Sequence, residues 1–166
     1  MIKLIVDKIP RIIKLRKKLA EKLGVNITNN GKEISIEGEP EKEYIAEKVI
    51  QALDFGFPYA AAILIQEQDF IFEIINIKDY TKRYDKEVVR GRIIGKGGKT
   101  LKTLSSLTQC YFELKDNRVG IVCDADNFEV PQQAVISLIQ GSKTSNVYKT
   151  LERNRPKPVF DLGLKR

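Results

Sequence analysis

The residues best suited to chemistry form a short, basic, glycine-rich turn between two apolar segments. The stretch Gly91–Leu104, GRIIGKGGKTLKTL, holds four of the eleven glycines of the chain and four basic residues. Glycine has no Cβ, so a turn through Gly95 and Gly98 lets a phosphate come close to the backbone. Apolar residues at helical spacing on both sides predict a helix before the turn and another after it. The stretch therefore predicts a site that holds phosphate groups.

Basic residues after the turn favour anion binding over a purely structural turn. Lys99 and Lys102 fall in the first turns of the second predicted helix, where a cation opposes the helix dipole and costs about 0.3–1 kcal/mol. Free N–H groups at a helix N-terminus bind anions. A nucleotide-binding P-loop is excluded because that motif needs a glycine where Ile93 stands, and because the approach is helical rather than a strand.

Charge and composition narrow the class of partner and of reaction. The chain of 166 residues has a net charge of +7. Segments 85–108 and 142–166 carry +4 and +5, and the remainder sums to −2. Such a localised positive field indicates a polyanionic partner, and a solvated basic surface is the alternative.

Histidine is absent from the sequence. This excludes catalytic triads with histidine, histidine general bases and metal sites with histidine ligands. We therefore expect no cofactor and no metal. No apolar run approaches the roughly 18 residues of a membrane span. The N-terminus also lacks the pattern of a signal peptide, so we expect no membrane contact and a cytoplasmic location.

The elements that must position the turn occur twice along the chain. The first half predicts, in order, a strand over 2–9, a helix over 11–23, a hairpin turning at Asn30-Gly31, and a helix from Pro40 to about Gly56. The hairpin turn would place Ile27 opposite Ile34. One face of the first helix is basic, and it either grips RNA phosphates or is simply solvated; its residues are Arg11, Lys14, Arg16, Lys17, Lys18 and Lys22.

The second half repeats this order and adds the glycine turn. It predicts a strand over 70–77, a helix over 85–94, the turn, a helix over 98–107, a hairpin around Asp116-Asn117 and a helix capped by Asp126 that ends at Gly141. Ile12-Ile13 matches Ile93-Ile94 at an offset of 81 residues, and Leu23 matches Leu107 at an offset of 84. The three residues missing from the first copy fall where the second has its glycine turn, which indicates an internal repeat.

The two cysteines lie on opposite strands of the second predicted hairpin. A two-residue turn places Cys110 directly opposite Cys123, on the apolar face that also carries Phe112 and Ile121. Two reduced, buried cysteines are the favoured interpretation. A cross-strand disulfide is the alternative, because intracellular proteins of hyperthermophiles do contain disulfides.

The glycine turn and its surroundings resemble a known RNA-binding family. The run IIGKGGKTLKTL resembles the [IV]IGxxGxx[IL]xx[IL] signature of the KH domain, and the element order over 70–141 resembles its type I topology. The resemblance implies a groove for about four unpaired nucleotides, with phosphates along Gly95–Gly98. It also implies an α+β fold of two tandem type I KH domains (β-α-α-β-β-α), each a three-stranded antiparallel sheet packed on helices.

The expected domain organisation follows from this resemblance. It consists of a degenerate KH domain lacking GxxG over 1–56, a connecting helix over 57–69, an intact KH domain over 70–141, and a basic C-terminal helix and tail over 142–166. In the first domain LRKKL stands where GxxG would be, which leaves RNA contact and protein contact both open for that domain. In the tail, a helix through Arg155 and then an extended end at Pro156 and Pro158 are expected.

The whole architecture is similar to the archaeal form of the two-KH assembly factor of the small ribosomal subunit. GRIIGKGGKT, QGSKTSNVYKTLE and the chain length carry this resemblance. It implies contacts with the 3′-end region of small-subunit rRNA, with the endonuclease that matures that end, and with the alpha subunit of translation initiation factor two. The expected function is non-catalytic binding of single-stranded RNA by a monomer in ribosome assembly and rRNA 3′-end processing.

The residues expected to contact RNA belong to the glycine turn and its flanks, the start of the following strand and the tail. They are Arg92, Ile93, Ile94, Gly95, Lys96, Gly97, Gly98, Lys99, Leu101, Lys102, Leu104, Tyr111, Tyr148 and Arg153. Two other functions stay open: a generic KH module in RNA decay or regulation, and a nuclease that uses carboxylates with Mg²⁺. The nuclease is disfavoured because no Asp/Glu cluster lies near the glycine turn.

Overall fold

Two successive α+β units make up the part of the chain that the structure describes. The structure is a computed structural model, and it describes residues 1–154. We call residues 1–69 unit one and residues 70–154 unit two. The prediction of an extended C-terminal end falls outside the described residues. Within 1–154, no helix is long and apolar enough to cross a membrane.

Unit one contains a three-stranded antiparallel sheet with its third strand in the middle. Its elements are β1 (Ile2–Ile5), α1 (Ile9–Leu23), β2 (Asn26–Asn30), β3 (Glu33–Glu37), α2 (Pro40–Phe55), α3 (Tyr59–Ala62) and α4 (Leu64–Glu67). The strand order is β1-β3-β2. Helix α1 buries Ile12, Leu19 and Leu23 along one stripe and ends at Gly24, which adopts a left-handed conformation with a φ of 68°. These features confirm the predicted helix.

The hairpin of unit one forms with a different register from the predicted one. Ile27 pairs with Ile36 and Asn30 pairs with Glu33, so the two-residue turn is Gly31-Lys32. The predicted pairing of Ile27 with Ile34 is wrong by two residues. A slip of two keeps every side chain on its original face, because strand side chains alternate with a period of two. The apolar face of the hairpin is therefore buried as expected.

Unit two has the same strand order as unit one and contains the glycine turn. Its elements are β4 (Phe70–Asn76), α5 (Lys86–Ile94), α6 (Lys99–Thr108), β5 (Tyr111–Lys115), β6 (Arg118–Asp124), α7 (Glu129–Ile139) and α8 (Thr144–Arg153). The sheet order is β4-β6-β5, again with the third strand central. Two local predictions need correction. Asp124 rather than Asp126 accepts the capping hydrogen bond before α7, from the Asp126 N–H, and the described part of the tail helix ends at Arg153.

Strand β6 is buried on both of its faces, and this joins the two units. Val119, Ile121 and Cys123 pack against the helices of unit two, whereas Val122 belongs to the core of unit one. A Cβ on Gly120 would lie 2.7 Å from Cε1 of Phe55. The absence of a side chain at that position therefore allows the end of α2 to lie directly on the sheet of unit two.

Three aromatic rings fill the junction between the units. Phe57 lies 6.0 Å from Phe55 and 5.7 Å from Phe72, measured between ring centroids. Phe55 and Phe57 come from unit one and Phe72 from β4. The predicted connecting helix over 57–69 is instead the two short helices α3 and α4, which are buried against the core of unit one. The connection is part of that core rather than a spacer between domains.

Polar contacts also cross the junction, at the far end of β5. The Lys115 ammonium lies 3.1 Å from a carboxylate oxygen of Asp7, and this ion pair lowers the pKa of the Asp7 carboxyl. Glu113 is half-buried there, and burial raises the pKa of its carboxyl, while the nearby Lys8 and Arg11 charges act in the opposite direction. The start of α1 and the end of β5 are therefore neighbours.

The cysteine pair is a disulfide in the structure. Cys110 and Cys123 face each other with a Cα–Cα distance of 4.8 Å, and both side chains are buried. The predicted register of the β5–β6 hairpin is confirmed. The favoured expectation of two reduced thiols is wrong for this structure. Facing positions on adjacent strands bring the two sulfur atoms within bonding reach.

Candidate nucleic-acid interface

The glycine loop between α5 and α6 has a backbone that glycine alone adopts easily. Gly95, Gly97 and Gly98 have φ values of 76°, 60° and 79°. L-amino acids with side chains rarely occupy that region. The Gly95 N–H donates to the carbonyl of Gly91, and the Gly98 N–H donates to the carbonyl of Gly95. The chain therefore leaves α5, turns sharply and enters α6 within four residues.

The space around the missing Cβ is filled at Gly95 and empty at Gly97 and Gly98. A Cβ on Gly95 would lie 2.7 Å from the backbone nitrogen of Thr100, whereas a Cβ on Gly97 or Gly98 would meet nothing within 4 Å. Thr100 is itself buried. The loop thus packs at Gly95 against the first turn of α6, and its other side is a bare backbone surface that a ligand can approach.

The start of α6 presents donors and positive charge beside this surface. Gly98 is the N-cap and makes no side-chain capping hydrogen bond, and the first turn contains no acidic residue. The first N–H groups of a helix lack intrahelical partners and carry the positive end of its dipole. Lys96, Lys99 and Lys102 are exposed around them. This arrangement is chemically suited to an anion with several oxygen acceptors, such as a phosphodiester.

Four predicted apolar contact residues divide into two groups. Ile93 and Leu104 are fully buried in the core of unit two, so they support the loop and are not available to a ligand. Ile94 and Leu101 are half-buried on the two helices that flank the loop. These two side chains form the apolar surface next to the phosphate-binding backbone. The sequence predicted all four as RNA contacts from their position beside the glycine turn. It did not indicate which of the four side chains stay accessible.

On the strand side, the predicted residue Tyr111 lies on one face of β5 and two apolar residues lie on the other. Tyr111 is exposed, but it pairs with Val122 and shares the sheet face that is turned toward unit one. Phe112 and Leu114 lie on the other face, against the helices. Leu114 is only half-buried, so its side chain stays partly accessible on the helix side of edge strand β5. The alternation of side chains along β5 indicates this division between its two faces.

The three remaining predicted residues lie outside the loop. The Arg92 guanidinium donates a 2.6 Å hydrogen bond to the carbonyl of Ser142, which ties α5 to the segment after α7. Tyr148 is half-buried against the core of unit two, on a helix that buries Val147 and Leu151. Arg153 is exposed in the last turn of that helix. The structure thus gives Arg92 and Tyr148 packing roles.

Carboxylates do not gather around the loop. Within residues 1–154 there is no group of three or more His, Cys, Asp or Glu side chains arranged to hold a metal ion. The acidic residue nearest in sequence to the loop is Glu87 in the first turn of α5, where its charge suits the helix dipole.

Known proteins are similar to this chain in sequence. Residues 71–156 match the model of the second KH domain of PNO1 proteins, described as eukaryotic-type KH-domain (KH-domain type I). A KH domain-containing protein of Methanocaldococcus jannaschii is 31% identical over 121 residues, which are 72% of this chain and 53% of that protein. The pre-rRNA-processing protein pno1 of Schizosaccharomyces pombe is 32% identical over 105 residues, 61% of this chain and 44% of that protein. The chain thus spans about half the length of these curated relatives.

A solved structure has the same fold over nearly the whole chain. It is a complex of a/eIF2alpha, aDim2p and rRNA from Pyrococcus horikoshii OT3. The matching chain superposes with a TM-score of 0.81 at 24% identity, covering 93% of this chain and 93% of that one. The likeness therefore includes both units and their relative placement.

Proposed function

This chain belongs to the family of eukaryotic-type KH domains, type I, and we propose that it binds single-stranded RNA and acts in small-subunit ribosome assembly and rRNA 3′-end processing. It does so by binding alone, without catalysing a reaction. The observation that carries the proposal is the open side of the glycine loop, where bare backbone, helix N–H groups and three lysines converge. The similarity to a KH domain-containing protein and to a pre-rRNA-processing protein supports it.

In the proposed complex, phosphates lie along Gly95–Gly98 and bases lie over an apolar floor. The open glycines admit the backbone oxygens, and the lysines supply a sequence-independent attraction. Ile94, Leu101 and Leu114 contact the bases. A KH groove of this kind takes about four nucleotides.

We further propose that unit one is a degenerate KH domain, so that the chain has two KH domains in tandem. Both units share a sheet with the third strand in the middle. In the order of elements, the continuous helix α1 stands where unit two has α5, the loop and α6. Ile12 and Ile93 are both fully buried, and Ile13 and Ile94 are both partly exposed, which supports the alignment of the two copies. Unit one therefore has the same strand arrangement as unit two but lacks the glycine loop.

The proposed partners follow from the resemblance to the assembly factor and not from a contact in this chain. They are the 3′-end region of small-subunit rRNA, the endonuclease that matures that end, and the alpha subunit of translation initiation factor two. The complex from Pyrococcus horikoshii, which contains rRNA and a/eIF2alpha, supports an rRNA partner and the third of these partners. We propose that the protein acts as a monomer in the cytoplasm. Co-purification of tagged protein with pre-ribosomal particles tests this assignment, and association only with mRNA or decay complexes would instead support a generic KH module.

The loop is tested by the double substitution Lys96→Asp/Gly97→Asp. Both positions are exposed, and a Cβ on Gly97, whose φ is 60°, would meet nothing within 4 Å, so the fold tolerates the change. Aspartate is among the residues that accept a left-handed conformation. We expect loss of binding to single-stranded rRNA in fluorescence anisotropy, with an unchanged circular dichroism spectrum, because negative charge replaces the phosphate contacts.

Unit one offers a matched control for this experiment. Gly31 has a φ of 61° with open space at its Cβ, and Lys32 is exposed beside it. Gly31→Asp/Lys32→Asp makes the same charge change in the same backbone conformation and should retain binding. RNA binding that survives in the Lys96/Gly97 variant, or an affinity that does not fall with added salt, would refute the loop as the site. RNA cleavage by purified protein with added Mg²⁺ would refute the non-catalytic assignment.

A further inference from the structure

We propose that the groove between α7 and α8 binds the segment that follows α8, residues 155–166 of the same chain, with Phe160 and Leu162 against its apolar floor. We call it the α7–α8 groove. None of the described residues that line it belongs to α5, the glycine loop or α6. The α7–α8 groove is therefore a separate surface of unit two, and the proposed RNA binding neither requires nor excludes its occupation.

The α7–α8 groove combines an apolar floor with walls that are mostly neutral and polar. Ala134, Val147 and Leu151 are buried and form the floor, with the half-buried Val130 beside them. Serine, threonine, asparagine and glutamine side chains of the two helices and their ends make up the walls, apart from one charged residue. The groove has a volume of about 320 Å³. It therefore has room for a large apolar side chain, and its walls offer hydrogen-bond partners to a peptide backbone.

The charge of the groove disfavours RNA as its occupant. Among the described residues that line it, Glu129 is the one charged residue, and none is a lysine or an arginine. This is unusual on a chain with a net charge of +7. A phosphate would meet a carboxylate there and no cation, whereas a basic peptide is attracted to the exposed Glu129. The groove therefore suits an apolar peptide with positive charge on either side.

Segment 155–166, RPKPVFDLGLKR, has this composition. Its apolar residues lie in the middle, basic residues lie on both sides of them, and Asp161 is the one acidic residue. The apolar residues are Val159, Phe160, Leu162 and Leu164, and the basic residues are Arg155, Lys157, Lys165 and Arg166. Phe160 is the largest of the apolar side chains, so its burial removes the most apolar surface from water. Both the apolar centre and the positive charge of the segment complement the groove.

The point where the segment begins lies at the groove itself. Helix α8 ends at Arg153, and the next residue, Asn154, lines the groove. Pro156 disfavours continuation of the helix, because proline has no N–H and restricts the residue before it. Phe160 follows Asn154 by six residues, and six extended residues span about 20 Å. The ten residues of α8 span only about 15 Å, so Phe160 can reach any part of the groove.

Attachment to the same chain favours this occupant over a second copy or a separate protein. A short flexible connection gives the attached segment an effective concentration in the mM range. A separate protein would have to displace a segment that is already held next to the groove. Docking of the segment covers the apolar floor and holds α8 against α7.

The test uses a single tryptophan as a reporter in the full chain. The sequence contains no tryptophan, so the fluorescence of a Phe160→Trp variant reports on this position alone. The reference is the isolated peptide 155–166 with the same substitution. We expect the full chain to show a blue-shifted emission maximum and a lower acrylamide quenching constant than the peptide, because the docked ring is removed from water. Both differences should be independent of protein concentration, since the contact lies within one chain.

A charged side chain placed in the groove should release the segment. Thr150 is exposed and lines the groove, whereas Ser145 is exposed on the same helix and does not line it. Arginine is a good helix former, so Thr150→Arg and Ser145→Arg both keep α8 folded, which circular dichroism checks. In the reporter chain, Thr150→Arg should raise the quenching constant to that of the peptide, and Ser145→Arg should leave it low. Gln133→Arg, on the α7 side of the groove, should act like Thr150→Arg.

Four results would overturn the docking of this segment. The first is a tryptophan that is as exposed in the full chain as in the peptide. The second is protection that rises with protein concentration, which would place a second copy in the groove. The third is protection that survives both Thr150→Arg and Gln133→Arg, which would place the segment elsewhere. The fourth is protection that appears only when single-stranded RNA is added, which would assign the segment to RNA.

Discussion

At the scale of single residues, Gly95 and Gly97 differ in what surrounds the missing Cβ. Gly95 has a φ of 76° and a ψ of 175°, and a Cβ there would lie 2.7 Å from the backbone nitrogen of Thr100. We therefore expect Gly95→Ala to destabilise unit two by more than the roughly 1–2 kcal/mol of a left-handed alanine and to abolish RNA binding. Urea unfolding and anisotropy measure the two effects.

Gly97→Ala is the matched control. Gly97 is also left-handed, with a φ of 60°, but a Cβ there meets nothing within 4 Å. We expect only the conformational cost, about 1–2 kcal/mol, and a loop that still binds RNA with reduced affinity. Equal loss of stability in the two variants would show that the contact with Thr100 does not determine the loop conformation.

At the scale of elements, the disulfide holds edge strand β5 to central strand β6. Cys110 and Cys123 are separated by 13 residues in sequence. For a closed loop of that size the chain-entropy model gives about 3 kcal/mol of stabilisation. We expect reduction by dithiothreitol to lower the free energy of unfolding by up to that amount. β5 should also gain amide exchange, since it has one neighbouring strand.

The control for the disulfide is the variant Cys110→Ser/Cys123→Ser. Its unfolding free energy should not respond to dithiothreitol. Thiol titration of the unfolded, unreduced wild-type protein gives an independent result. Two free thiols in that titration would mean that the cysteines are reduced, and this prediction would then be wrong.

At the scale of the whole molecule, the aromatic junction packs the two units together, so we expect them to unfold as one unit. Phe57 is fully buried between Phe55 of unit one and Phe72 of unit two. Truncation of a buried phenylalanine typically costs about 3–5 kcal/mol. We expect Phe57→Ala to lower the protection of amides in β3 and in β6 together, as measured by native-state hydrogen exchange.

Tyr44→Ala provides the comparison, because Tyr44 lies on α2 and is 59% exposed. A surface substitution of this kind changes stability by only about 0.5 kcal/mol. Loss of protection in β3 alone after Phe57→Ala would contradict the coupling and would support two independently stable domains.

The sequence by itself determined the features that depend on near neighbours in the chain. The stripe of α1, the cap at Gly24, the β5–β6 register and the positions of α5, the glycine loop and α6 were all predicted from local spacing. These features could be read because helical periodicity, positive φ at glycine and two-residue turns involve only residues a few positions apart. The resemblance to KH domains rested on the same local motif, and the family match confirms it.

Only the tertiary structure decided which side chains remain available. Ile93 and Ile94 are adjacent in sequence, yet one is fully buried and the other stays half-exposed next to the glycine loop. Arg11 and Lys14 carry the same charge on one helix, yet carbonyls of α2 and the following segment bind the first alone. The cause in each case is a contact with residues distant in sequence. The main contact of this kind is the one at Gly120, where unit one covers the sheet of unit two. Spacing within one segment does not encode which distant surface will pack against it.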